Sequence, residues 1–473
     1  MRRNMMFKRI MLICIVVIFM TGTLSTTAAT TQSSASLEPW STGVIDQATG
    51  IYLGQHVSID HYKYNGRAYI SYYDNTHGDL KLAYQVSPGT GDCPGNASWK
   101  CETIDNTTND VGRYSSIDVF EATLIRNSGL VFHYAKIGIS YYDNIAKSLK
   151  YAQKSCREGI LGLISCNWSI TTVDDDPTSS FPHNIGQYTS FQFNPAGTPV
   201  IYYHGESGTN DNIGYVKRAI LTGLVTGKCD DGWDCEVVAR SSAHRAYGTH
   251  ISADGNTVAF FDYPKYKLVL ARRIPQASNT CGMSNNWDCV EVDSDVGRFV
   301  SLVADGVHPT QMVYYDAFGG KIKHAIASSG SGNCGGGSYN CYAVDTIGKA
   351  LVETGIGLSM TLDAEGEPII AYQDFSEQQS PAALKIARPY YVYGKSYGNC
   401  GDASIGIIKF WQCDYLDGGG SYLNEADYAA VSVSPAGLAT VAYYETDDYY
   451  NLGRLKVAQE QQHFTVRLPL IMK

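Results

Sequence analysis

Seven times along the chain an alternating apolar and aromatic stretch ends in an acid, turns, and resumes as an L-K-x-A stretch. The copies begin at Ile70 (ISYYDNTHGDLKLA), Ile139 (ISYYDNIAKSLKYA), Val200 (VIYYHGESGTNDNIGYVKRA), Val258 (VAFFDYPKYKLVLA), Met312 (MVYYDAFGGKIKHA), Ile369 (IIAYQDFSEQQSPAALKIA) and Thr440 (TVAYYETDDYYNLGRLKVA). Their spacing of about 54 to 71 residues exceeds that of solenoid coils and suits a four-stranded propeller blade. Both alternating sets of positions in the Y-Y-D and L-K-x-A stretches are apolar or aromatic, as in strands covered on both faces by neighbouring sheets.

A short element with a small residue precedes each copy: GQHVSI from Gly54, GRYSSI from Gly112, GQYTSF from Gly186, AYGTHI from Ala246, GRFVSL from Gly297, GIGLSM from Gly355 and ADYAAV from Ala426. These read as innermost strands, where a small residue allows close approach at the axis. Outermost strands follow six of the copies, in NASWKCETID, SCNWSITTVD, DGWDCEVVA, NNWDCVEVD, SYNCYAVD and KFWQCDYLD. The seventh outer strand is missing after Ala458 and stands at the other end of the chain as PWSTGVID, Pro39 to Asp46. The expected fold is therefore all-β: a seven-bladed propeller of four-stranded antiparallel blades, closed by residues 38–46 pairing near Arg454 to Gln459.

The first 29 residues hold Arg2, Arg3, Lys8 and Arg9, an apolar run from Ile10 to Met20 and a small-residue stretch ending at Ala29, the pattern of a secretory signal. Residues 30–37 read as a linker, 38–459 as the propeller and 460–473 as a tail. Without residues 1–29 the chain carries 32 basic against 46 acidic residues, a net −14 that disfavours nucleic acid and anionic lipid. No stretch approaches the ~20 apolar residues of a membrane span, so no membrane insertion is expected of the mature chain. Twelve cysteines beyond Cys14 form six neighbouring couples: Cys93 with Cys101, Cys156 with Cys166, Cys229 with Cys235, Cys281 with Cys289, Cys334 with Cys341 and Cys400 with Cys413. A couple locked to the repeat, in an exported chain, predicts six local disulfides and no zinc site.

The acid ending each Y-Y-D stretch is Asp74, Asp143, Asp262, Asp316, Asp374 or Glu445, with His204 read at this place in the third copy. Such acids fix hairpin turns; a ring of them would alternatively hold calcium, the one cofactor considered. Irregular loops gather on the same face, and the expected ligand-binding residues there are His204, Asp175, Asp176, His183, His244, Arg245, Asp447 and Tyr449. There is no H-E-x-x-H, G-x-S-x-G or phosphate loop, and no cysteine left for a nucleophile. Arg272-Arg273-Ile274-Pro275 matches the R-I-P element of sialidases but follows a third strand, and no blade carries S-x-D-x-G-x-T-W.

On these repeats the chain resembles secreted bacterial propeller proteins of sialidase-like and lectin-like architecture, over nearly the whole mature length, although no family's active-site motif carries over. The resemblance implies an extracellular recognition module for glycans or a surface protein. A glycoside hydrolase or lyase with carboxylates on the irregular face is the alternative, and an envelope scaffold the third reading.

Overall fold

The structure is a computed structural model. It describes residues 40–462 except 160–161, 176–183, 207–212, 225–228, 231, 242–246, 276–279, 282–285, 297, 349–356, 375–381, 394–396, 406–407, 419–422 and 448. Seven sheets surround one axis. Blade 1 runs outward through Leu53–His61, Ala68–Asp74, Asp79–Gln85 and Trp99–Asp105. Blades 2 to 6 follow over residues 111–174, 185–240, 247–294, 300–346 and 358–417. Blade 7 takes three strands from the end of the chain, Leu423–Val433, Ala439–Asp447 and Leu452–Glu460. Its outer strand is Trp40–Asp46, which runs antiparallel to Leu452–Glu460 with Trp40 opposite Glu460 and Asp46 opposite Leu455. The ring is thus closed by the N-terminal strand, and no open sheet edge is left there.

All six cysteine couples are disulfides. Each ties the connection between third and fourth strands, except that Cys156 and Cys166 face one another within strands. The reason is length: the third and fourth strands of blade 2 run over Ser148–Glu158 and Ile164–Asp174, 11 residues each against 7 in blade 1. Blade 6 also departs from the four-strand pattern, adding Gly398–Ile405 and Ile408–Lys409 beside its outer strand.

Apolar contact between blades is supplemented by two sets of polar fastenings. Along the axis, a serine hydroxyl of six of the inner strands accepts the backbone N–H of the next blade's inner strand: Ser58 from Ile117 (3.2 Å), Ser116 from Phe191 (3.0 Å), Ser190 from Ala253 (3.0 Å), Ser252 from Leu302 (2.9 Å), Ser301 from Met360 (3.0 Å) and Ser359 from Val431 (3.1 Å). Radial inner strands cannot pair with one another as a ladder, so side chains satisfy these donors. At the seventh junction the position is Ala430, which has no hydroxyl.

Farther out, a tyrosine and a lysine of one blade converge on an aspartate that ends the previous blade's outer strand. Tyr72 (2.6 Å) and Lys81 (2.7 Å) bond Asp46; Tyr141 (2.7 Å) and Lys150 (2.6 Å) bond Asp105; Tyr372 (2.8 Å) and Lys385 (3.0 Å) bond Asp345; Tyr443 (2.6 Å) and Lys456 (2.5 Å) bond Asp417. Asp174 receives Tyr203 and Lys217, and Asp293 receives Tyr314 and Lys323, in the same way. Between blades 3 and 4 the register puts Ala239, Phe260 and Val269 at these three places, all buried in one apolar cluster.

Candidate functional site

The acids ending the second strands behave as turn residues. Asp74 accepts the backbone N–H groups of Thr76 (3.0 Å) and His77 (3.1 Å), Asp143 those of Ile145 (3.0 Å) and Ala146 (2.8 Å), and Asp316 those of Phe318 (3.0 Å) and Gly319 (2.8 Å). Asp374 and Glu445 pair instead with Lys385 (2.7 Å) and Lys456 (2.7 Å) of their own third strands.

Strand register corrects the reading of the third copy. Gln187 faces His204 just as Gln55 faces Tyr73, so His204 replaces the second aromatic and Gly205 replaces the acid. Tyr202, an aromatic at the place of Ser71, concealed this, because the Tyr-Tyr pair of the third copy then falls one step early. The inner strand of blade 4 is shifted likewise. Thr249 opposite Phe261 matches Gln55 opposite Tyr73, which makes Gly248, not Ala246, the small residue of that strand.

Of the expected ligand-binding residues, Asp176, His183, His244 and Arg245 lie outside the described residues. Asp175 is exposed just past the outer strand of blade 2. Asp447 is buried in the last turn, accepting Arg454 (2.5 Å) and the Tyr450 N–H (3.1 Å). Tyr449 is exposed beside Tyr450. His204 is buried behind Tyr188, ring centroids 6.1 Å apart. The four described residues therefore fall in blades 2, 3 and 7 and do not outline one pocket.

A concave site lies on the axis instead, assembled by a position that recurs two residues after the inner-strand small residue. It is occupied by His56, Tyr114, Tyr188, His250, Phe299, Gly357 and Tyr428 in blades 1 to 7. Consecutive rings approach at 4.8 Å (His56–Tyr114), 4.7 Å (Tyr114–Tyr188), 4.7 Å (Tyr188–His250) and 4.4 Å (His250–Phe299), and Tyr428 lies 4.5 Å from His56. Neighbours are inclined by 48° to 58°, close to one-seventh of a turn. Rings this close are in tilted face contact with each other. The faces of His56, Tyr114, Tyr188 and His250 are thus taken by neighbours on both sides, while Phe299 and Tyr428 flank Gly357.

These rings, with Val57, Arg113, Ser115, Thr189, Ile251, Val300 and Leu358, enclose a cavity of roughly 410 Å³. His56, Tyr114, Tyr188, His250 and Phe299 all have φ between 51° and 59°, the left-handed region that costs a residue with a Cβ about 1–2 kcal/mol. In blade 6 the same place is held by Gly357, which carries no ring. Five blades keep a large ring despite the strain, which marks the position as more than a turn. Burial, and next the Arg113 cation, push the His56 imidazole down to about 3. Burial, and next Arg298 and His204, do the same to His250, also about 3. Both rings are neutral at physiological pH. Arg113 itself is engaged, 2.7 Å from Asp110 and stacked 5.4 Å over Tyr73.

Sequence reasoning missed this site because its members are dozens of residues apart. The signal was present in G-Q-H, G-R-Y, G-Q-Y, G-R-F and A-D-Y, an aromatic or imidazole at one fixed offset.

No family model matches the chain, and no curated protein matches it. Solved structures do. A protein of unknown function from Dyadobacter fermentans is 11% identical, with 90% of this chain and all of that one covered at a TM-score of 0.39. The α-L-arabinofuranosidase Arb93A from Fusarium graminearum is 6% identical over 89% and 98% at 0.40, and the WD40 domain of SCAP from fission yeast 7% identical over 91% and 89% at 0.35. Likenesses this distant carry no argument about activity, and the seven-bladed propeller stands on the chain's own sheets.

Proposed function

We propose that the protein is an exported recognition module whose axial vestibule binds a neutral, hydroxyl-rich ligand such as the end of a glycan, without cleaving it. The observation that carries this reading is the vestibule itself, a cavity of roughly 410 Å³ ringed by aromatic and neutral imidazole side chains. That volume falls in the ~300–1,000 Å³ range of small-molecule sites. A cationic ligand would need ring faces turned to the axis, and here four of the six rings have neighbouring rings on both sides. Edges, phenol hydroxyls and imidazole nitrogens suit a ligand that offers both C–H surface and hydroxyls. Hydrolysis of a glycosidic bond uses two carboxylates ~5–10 Å apart, whereas no carboxylate is among the described residues lining the vestibule. Export is supported by the leader-like N-terminus and six disulfides.

The test is a glycan array read with the wild type and with Tyr114→Ala and Tyr188→Ala, alongside a broad fluorogenic glycosidase screen. Binding of a defined glycan that both substitutions weaken at least tenfold supports the reading. Turnover of a glycoside, or glycan binding that survives both substitutions, refutes it.

A further inference from the structure

We propose that the Cys156–Cys166 bridge of blade 2 is a site of thiol–disulfide exchange, at which a low-molecular-weight thiol opens the bond by attacking Cys166. The repeat supplies the contrast. In blades 1, 3, 4, 5 and 6 the second cysteine follows the outer-strand aromatic by two residues, as Cys101 follows Trp99 and Cys413 follows Trp411. Blade 2 reverses the order, with Cys166 two residues before Trp168. Trp168 opposite Lys154 matches Trp99 opposite Gln85, so the cysteine position of the other blades is filled here by Ile170, which faces Ala152 as Cys101 faces Ala83. The bridge has moved past the tryptophan toward the hairpin tip.

That move takes it out of cover. Each of the other five bridges has a cysteine no more than 9% exposed: Cys93, Cys235, Cys281, Cys334, and both Cys400 and Cys413. Three are also met by polar groups, with the Tyr203 hydroxyl 3.3 Å from Cys235 Sγ, the Tyr314 hydroxyl 3.1 Å from Cys341 Sγ and the Val344 carbonyl 3.8 Å from Cys413 Sγ. In blade 2 Cys156 is half-buried and Cys166 exposed, and among the described residues neither sulfur has such a contact. Exposed disulfides are the labile ones, because exchange needs access of a thiolate to sulfur.

The hairpin does not depend on the bond. Ladder pairs flank it on both sides, Ser155 with Asn167 toward the disc and Arg157 with Ser165 toward the tip. Beyond them Glu158 accepts Arg126 Nε (3.3 Å) and the Asn127 N–H (2.7 Å) of the neighbouring hairpin. In blades 1, 3, 4 and 5 the first cysteine lies outside the strands, so there the bridge itself holds the connection. In the exchange a thiolate attacks Cys166 Sγ, the S–S bond breaks, and its electron pair leaves on Cys156 Sγ, which takes a proton. Cys166 then carries the thiol as a mixed disulfide. A second thiolate attacks the sulfur of the first, and Cys166 leaves and is protonated. Two thiols are consumed, one small disulfide is released and two cysteine thiols are formed. This site is independent of what the axial vestibule binds.

Folded wild-type protein is incubated with a concentration series of reduced glutathione, quenched with iodoacetamide and mapped by peptide mass spectrometry. Alkylation of Cys156, with alkylation or glutathione at Cys166, is expected at a glutathione concentration about tenfold or more below that opening any other bridge, with the melting temperature close to that of untreated protein. The double variant Cys156→Ser, Cys166→Ser should fold by circular dichroism and take up neither label nor glutathione over that range. The proposal is overturned if another bridge opens first, if all six open together, if none opens, or if the double variant is unfolded, since the ladder would then not hold the hairpin without the bond.

Discussion

At the junction of blades 1 and 2, Tyr141 and Lys150 converge on the buried Asp105; at the equivalent place between blades 3 and 4, Phe260, Val269 and Ala239 meet instead. The repeat has changed all three residues together. Removing the acid alone would strand a buried ammonium, and adding a lysine alone would bury an unpaired charge, but replacing a buried ion pair by apolar groups of matching size is close to neutral. The pair of junctions shows the trio to be a unit. It also shows that apolar contact suffices to seal blades, so the six polar junctions contribute register and specificity more than bulk adhesion.

The largest way to break the comparison is at the ring's seam, where Asp46 of the N-terminal strand serves Tyr72 and Lys81 of blade 1. Deleting residues 40–46 removes this trio's acid and bares the strand Leu452–Glu460; we expect aggregation in place of a monomer on size-exclusion chromatography. A monomer with an unchanged melting temperature would show that closure contributes little. Next, Asp105→Ala alone should lose about 3–5 kcal/mol in denaturant unfolding, because Lys150 keeps its charge in a buried site. The reciprocal change at the apolar junction, Val269→Lys, should cost about 3 kcal/mol for the same reason. If it is silent, that junction is open to water.

Acid titration sharpens the contrast further. Burial alone would raise the Asp105 carboxyl, but hydrogen bonds from Lys150 and Tyr141 outweigh it and hold the group below the ordinary carboxylate range, and Lys323 and Tyr314 do the same for Asp293. A carboxyl lowered in the folded state contributes stability that is present above its unfolded pKa of about 3.9 and is lost as pH falls through the depressed folded value. Wild-type stability should therefore fall below about pH 4, and a variant carrying the apolar trio in place of Asp105, Tyr141 and Lys150 should fall less steeply. The smallest effect belongs to that variant at pH 7. Asp105→Ala, Tyr141→Phe and Lys150→Val together should lie within about 1 kcal/mol of wild type. A loss as large as that of Asp105→Ala would mean that the apolar solution depends on its own surroundings in blades 3 and 4.

Blade number, strand order, ring closure and disulfide pairing were legible in the sequence because each is written as a repeat, and the odd copies, Trp40 to Asp46 and the cysteine-free seventh blade, fit only one closure. What was not legible follows from bulges and from distance. His204 was misplaced by one step because Tyr202 puts an aromatic where blade 1 has Ser71, so the Tyr-Tyr pair falls one position early, and only the pairing with Gln187 reveals it. Gly248 was hidden by the small Ala246 two residues earlier. The strands Gly398–Ile405 and Ile408–Lys409 sit in an insertion with no counterpart to align against. The vestibule escaped notice because an aromatic next to a strand's start reads as ordinary packing until seven such strands are drawn to one axis.

Pairing Trp40 with Glu460 has a consequence for how the molecule can be displayed. Both ends of the propeller leave the same sheet side by side, at the edge where third strands finish and fourth strands begin. The vestibule rings lie near the start of the inner strands, toward the opposite edge, where Leu53 pairs with Asp74. An anchor attached at either terminus therefore holds the disc by its back, with the axial mouth turned outward and unobstructed by its own tether.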